Sequence, residues 1–133
     1  MFVLNNHIFM RTILIIGAGR SASSLIQYLL AKSEKEQLHL IIGDLSLELA
    51  QKITNNHPNA TPIALDIFNA QQRQDAIQKA TIVISMLPAH LHIEVAKDCV
   101  LFQKHMVTAS YISDAMQALD AEAKAKGLIF MNE

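Results

Sequence analysis

The chain has 133 residues, of which 51% are hydrophobic and 17% charged, with a formal net charge of −1. That length allows one domain with a real core, and the composition excludes a disordered chain. No basic excess argues for nucleic acid, no apolar run reaches the roughly 18 residues of a membrane span, and the single Cys99 excludes an intramolecular disulfide or a cysteine metal cluster.

Residues 1–9 read as an N-terminal extension to a domain over 10–133. Met10-Arg11-Thr12 would serve as a natural start, so the extension is either an extra edge strand or an upstream start. It lacks the positive n-region and small-residue cleavage site of a signal peptide, and a cytoplasmic location is expected.

From Met10 onward, apolar runs alternate with amphipathic segments. Strands are expected near 12–16, 38–43, 61–65, 81–86, 105–109 and 128–131, and helices near 20–32, 46–55, 70–79, 89–102 and 114–126. The first strand runs into Gly17-x-Gly19-x-x-Ala22, the glycine fingerprint of a dinucleotide-binding βαβ unit with alanine third. Gly17 permits the tight turn, Gly19 lets a pyrophosphate approach the backbone, and Ala22 lets helix and strand pack closely. The helix N-terminus then faces the phosphates. Ala22, Leu25, Ile26, Leu29 and Leu30 give that helix one apolar stripe. Ser46 is placed to cap the second helix, whose Leu47, Ala50 and Ile53 share a face. Asn69 with Gln72 has capping-box spacing before the third helix. Pro88 precedes the fourth. The last helix carries Met116, Leu119 and Ala123 on its inner face and closes on Lys124, Lys126 and Gly127. Six strands and five helices make a doubly wound, Rossmann-type α/β fold: a parallel six-stranded sheet of order 3-2-1-4-5-6 with helices on both faces. A ligand should then lie across the carboxyl ends of strands 1 and 4.

The strand ends carry the candidate site. Asp44, after strand 2, lies 22 residues beyond Ala22, near the spacing of the acid that takes the adenosine ribose diol. The alternative is a turn aspartate or a helix cap. Leu45 supplies no cation for a 2′-phosphate, which favours NAD, with NADP as the other cofactor the motif admits. Asp66-Ile67, after strand 3, is either an adenine border or a plain loop. Ser85-Met86-Leu87-Pro88 ends strand 4 over the middle of the cofactor, or is simply a strand stopped by proline. Ser110 and Tyr111, after strand 5, fall near the nicotinamide in this topology. Arg20 either neutralises a phosphate or lies in solvent. His90 and His92 are two apart, on different faces of a helix, and no metal site is expected. Cys99, with Val95 and Phe102, reads as a small core residue. No Ser-His-Asp set or paired-carboxylate site is evident.

Several segments together resemble saccharopine dehydrogenase, closest to the glutamate-forming type called saccharopine reductase. They are Ile13 to Ala22, Val83 to Pro88, Val95 to Cys99, Val107 to Tyr111 and Phe130 to Glu133. The resemblance covers nearly the whole chain from Met10. It implies a pyridine-nucleotide oxidoreductase of lysine metabolism, moving a hydride between nicotinamide and the carbon of a secondary amine, saccharopine. It further implies that Gly17, Gly19, Arg20, Ser21 and Ala22 hold the pyrophosphate and that Asp66 and Ile67 flank adenine. Ser85, Met86 and Leu87 would line the centre of the cofactor, and Ser110 and Tyr111 would lie beside nicotinamide and substrate. No complete catalytic set is implied; Ser110 and Tyr111 are its nearest candidates.

Two departures from the family stand out. Its NADP-using members tend to carry arginine after strand 2, where this chain has Leu45. The chain also stops at Asn132-Glu133, where the family runs into a Gly-Leu-Asp-Pro-Gly segment and the substrate domain. The chain therefore reads as the isolated cofactor-binding domain of a longer enzyme, inactive alone and dependent on a C-terminal substrate domain or subunit. Self-association is one way to cover the ligand side of the sheet. A stand-alone NAD-binding regulatory module explains the absent second domain better and the strand 4 and 5 signatures worse. A ligand-free Rossmann scaffold is opposed by Gly17, Gly19 and Asp44.

Overall fold

A computed structural model describes residues 10–132; residues 1–9, read above as an extension, and Glu133 lie outside the described residues. The strands are β1 (Arg11–Ile16), β2 (Leu38–Asp44), β3 (Ala60–Ala64), β4 (Ile82–Ser85), β5 (His105–Thr108) and β6 (Phe130–Met131). They form one sheet of order β3-β2-β1-β4-β5-β6, parallel at every pairing. The helices are α1 (Arg20–Glu36), α2 (Leu47–Thr54), α3 (Ala70–Gln78), α4 (His92–Phe102), α5 (Asp114–Gln117) and α6 (Asp120–Ala125). The doubly wound reading of the sequence is the observed fold.

Strand periodicity divides the core. Ile13 and Ile15 of β1 pack with Ala22, Ile26 and Leu30 of α1, Ala50 of α2, and Leu40 and Ile42 of β2. Leu14 and Ile16 pack on the opposite face with Ala76 and Ile77 of α3, Val95, Ala96 and Cys99 of α4, and Met106 of β5. Both faces of β1 are covered, so its run is apolar throughout instead of alternating. β3 is an edge strand, which accommodates Pro62.

Capping explains most boundaries. Ser46 Oγ accepts from Leu49 N at 3.3 Å, and Asn69 Oδ1 accepts from Gln72 N at 3.1 Å. The capping box at Asn69 is only half formed, because Gln72 Oε1 accepts instead from Asp66 N. α1 runs a turn further than expected, to a left-handed Gln37 at φ 55. Leu47 of α2 is 39% exposed, so the inner face there is Ala50 and Ile53.

Three expected elements differ. The fourth helix opens as a 3-10 turn over Ala89–Leu91, in which Leu91 N donates to Pro88 O, and α4 starts at His92. The expected last helix is two. Leu119 N reaches back to Met116 O, an i→i−3 bond that tightens the chain between α5 and α6, and no glycine or proline marks the break. β6 is two residues long because the preceding N–H groups are used elsewhere. Leu128 N donates to Ala123 O and Ile129 N to His105 Nδ1.

α3 and α4 are joined by a buried ion pair, Arg73 Nε with Asp98 Oδ2; Gln74 also donates to Asp98, and Arg73 Nη1 donates to Ile67 O. Removing one partner leaves a buried charge unpaired. Asp98→Ala should therefore lower stability by about 3 kcal/mol or more, read as the urea midpoint, and Arg73→Met with Asp98→Leu should recover part of the loss. Cys99 is fully buried, and desolvation, aided by the Asp98 charge, pushes its thiol up to about 12. Iodoacetamide at about pH 8 should leave it unlabelled in the native chain and label it in denaturant, by mass spectrometry.

Candidate functional site

The turn after β1 depends on two glycines for different reasons. Gly17 has φ +108, a region that suits glycine, and a Cβ there would lie 3.2 Å from Met86 O. Its N–H donates to Gly43 O at 2.7 Å. Gly19 caps α1 at an ordinary φ of −76, and a Cβ there would meet nothing within 4 Å. The fold alone does not need glycine at this point. No side chain caps α1, whereas Ser46, Asn69 and Ser113 cap α2, α3 and α5. Ala22 N donates to Gly19 O, and the N–H groups of Arg20 and Ser21, at the start of a 17-residue helix, are left for an anion or water at the positive end of its dipole. Arg20 and Ser21 are exposed in that turn, and the buried Ala22 seats the helix on the sheet.

Asp44 ends β2 with both carboxylate oxygens engaged. Oδ2 accepts from Ala18 N, inside the glycine loop, and Oδ1 from Ser46 N, each at 2.8 Å. The residue is therefore the turn aspartate the sequence admitted, held beside the glycine loop. At the end of β3, Asp66 Oδ1 accepts from Phe68 N at 3.0 Å, and the Ile67 carbonyl is fixed by Arg73. Gly17, Asp44, Asp66, Ile67 and Leu87 border one cavity of about 170 Å³, and Leu45 and Phe68, each 76% exposed, stand at its sides. Four strand ends thus converge on a small apolar space with two carboxylates at its rim.

Side-chain hydrogen bonds join the ends of β4 and β5, and Ser85 departs from the expected cofactor contact. Ser85 is fully buried, and its Oγ lies 2.8 Å from His92 Nδ1. Its hydroxyl is turned inward instead of lining an open cofactor groove. His92 Nε2 lies 2.9 Å from Ser110 Oγ, so the imidazole bridges the two serines. Burial lowers the His92 pKa below its ordinary value, which favours the neutral ring. Thr108 Oγ1 donates to Asn132 Oδ1 at 2.8 Å and lies 3.4 Å from Ser110 N. Tyr111, 83% exposed, borders a second cavity of about 280 Å³ together with His92, Ser113 and Asn132. Met86 is half-buried against the α1-side core, with its N–H on Ile16 O.

The structure brings Gly17, Asp44, Asp66, Ile67 and Leu87 to one cavity and Tyr111 to another. Gly19 and Arg20 border a third space of about 530 Å³ between α1 and α2. His92 and Arg73 are the residues the sequence reading missed. The available signal for His92 was a polar residue between the apolar Leu91 and Ile93, following a strand that ends in serine. His90 is exposed and takes no part in the bridge.

Comparison with known proteins agrees with this geometry. A family profile described as saccharopine dehydrogenase NADP binding domain matches residues 13–131. The chain is 32% identical over 123 residues to a saccharopine dehydrogenase [NADP(+), L-glutamate-forming] of Pyricularia oryzae, covering 92% of this chain and 26% of that protein. It is 28% identical to an alpha-aminoadipic semialdehyde synthase of Arabidopsis thaliana, covering 91% of this chain and 13% of that one. An apo saccharopine dehydrogenase (L-Glu forming) structure from Saccharomyces cerevisiae superposes with a TM-score of 0.83 at 27% identity, over 92% of this chain and 27% of that one. The chain thus spans about a quarter or less of these relatives. With the glycine loop, the strand order and the profile in agreement, the chain belongs to the saccharopine dehydrogenase NADP binding domain family.

Proposed function

We propose that this chain binds a pyridine dinucleotide as the cofactor-binding part of a saccharopine dehydrogenase-like oxidoreductase of lysine metabolism. The observation that carries the reading is Gly19, kept as glycine where the ligand-free fold has open space and an ordinary φ. The adenosine half fits the cavity of Gly17, Asp44 and Ile67, with Leu45 and Phe68 on either side of the ring. The pyrophosphate fits the uncapped start of α1. The second half then falls over β4 and β5, since the fold consists of two mononucleotide-binding halves. When bound, the nicotinamide supplies the hydride donor or acceptor, exchanging with the carbon of a secondary amine such as saccharopine. This chain's own residues bind and orient it.

The family profile is described as NADP binding and the Pyricularia oryzae relative is named as an NADP(+) enzyme, and a dinucleotide cofactor is common ground. Within that class we assign NAD to this chain. Two backbone N–H groups pin the Asp44 carboxylate, so it cannot swing away from a ribose seated against it. A ribose diol donates to that carboxylate, whereas a 2′-phosphate repels it by on the order of a few kcal/mol before salt screening. Leu45 adds no cation.

Calorimetry with NADH should show binding, while saccharopine-dependent NADH production by this chain alone should be absent. Gly19→Val should fold and lose NADH binding, because its side chain takes the pyrophosphate's space. Undiminished affinity in folded Gly19→Val would overturn the site. In parallel titrations, NADH should bind about tenfold or more tighter than NADPH, equivalent to about 1.4 kcal/mol. Asp44→Asn with Leu45→Arg should reverse the order by removing the charge and supplying a phosphate partner. Tighter NADPH binding by the unaltered chain at both low and moderate salt would refute the role given to Asp44.

A further inference from the structure

Ser85, His92 and Ser110 form a polar chain that leads from the interior to the surface. Ser85 is fully buried at the end of β4, His92 is 3% exposed at the start of α4, and Ser110 is half-buried beyond β5. The ring nitrogens lie 2.8 and 2.9 Å from the two hydroxyls. The fold alone gives little reason for this. Apolar side chains of similar shape at such positions are commonly neutral or stabilising, because a hydrogen-bonded core pair gains little over its own desolvation. What the bridge does supply is orientation. A neutral imidazole offers one donor and one acceptor, so one serine hydroxyl gives a proton to the ring and the other receives one. The Ser110 hydroxyl, otherwise a free rotor, is held toward the ring. Its backbone is also tied, with Ser110 N on Thr108 Oγ1 and Thr108 in turn on Asn132. His92 and Asn132 both border the cavity of about 280 Å³ at the β4 and β5 ends, over which the second nucleotide falls in the reading above.

We propose that His92 is a positioning residue for the nicotinamide half of the dinucleotide. By tying Ser110 to the buried Ser85, it holds the Ser110 hydroxyl in place for the nicotinamide carboxamide. The buried serine is the anchor, the imidazole the link, and Ser110 the group that meets the ligand. This rests on the dinucleotide reading, and its test separates the two.

The probes are NADH and ADP-ribose, which share the adenosine and pyrophosphate and differ in the nicotinamide. Both are titrated calorimetrically into the unaltered chain and into His92→Leu, His92→Gln and Ser110→Ala. NADH should bind the unaltered chain more tightly than ADP-ribose does. His92→Leu and Ser110→Ala should each cut NADH affinity by about tenfold while leaving ADP-ribose within about twofold. His92→Gln, which keeps a donor and an acceptor, should recover part of that loss. A purely structural staple would weaken both probes together or neither. Should His92→Leu fail to fold, the half-buried Ser110→Ala decides alone: an unchanged NADH to ADP-ribose ratio overturns the proposal. Equal affinities for both probes in the unaltered chain would overturn it too, with the dinucleotide site intact. Binding of neither would overturn the dinucleotide reading and this inference with it.

Discussion

The register of β1 between β2 and β4 is the constraint from which the rest follows. Ile16 lies opposite Gly43 on one side and Ser85 on the other, so all three strands end at one level. Their loops emerge side by side, and two backbone bonds lock them there: Gly17 N to Gly43 O and Met86 N to Ile16 O. A slip of one residue would send Ile13 and Ile15 to the wrong face and separate the loops. The buried packing on both faces that prevents such a slip is therefore also what aligns the ligand-side ends.

On that frame, the two halves of the site use different chemistry. The β1 to β3 half works through backbone and a pinned carboxylate. Its loops are held by Asp44 on Ala18 and Ser46, and by Arg73 on Ile67, with Asp98 holding Arg73. The β4 to β5 half works through side-chain hydroxyls joined by an imidazole. The first arrangement is rigid because amides are planar and strands are paired. The second is rigid only while its hydrogen-bond network is complete.

Features carried by local pattern were legible in the sequence. The apolar run before Gly17-x-Gly19-x-x-Ala22, the caps at Ser46 and Asn69 and the buried Cys99 each depend on a few neighbouring residues, and each stands where expected. Features set by distant contacts were not. The bridge at His92 joins residues 7 and 18 positions away, beyond the reach of local pattern. The inward turn of Ser85 follows from that bridge. The break between α5 and α6 has no glycine or proline to announce it. It follows from an i→i−3 bond at Leu119, a partly buried residue packed on the α4-side core. The shortened β6 likewise depends on His105, a residue of the neighbouring strand that takes the N–H of Ile129.

Pro62 gives the two edges of the sheet unequal character. Leu65 N turns inward to Asp44 O, so alternation along β3 directs the backbone of Pro62 outward, away from β2. There the strand has no donor to offer, and a foreign strand laid against it would find a gap in the ladder. The opposite edge, β6, carries no proline and leaves Met131 60% exposed. Among the described residues, the two edges of the sheet thus differ: the ladder that β3 offers is interrupted at Pro62, and that of β6 has no such gap.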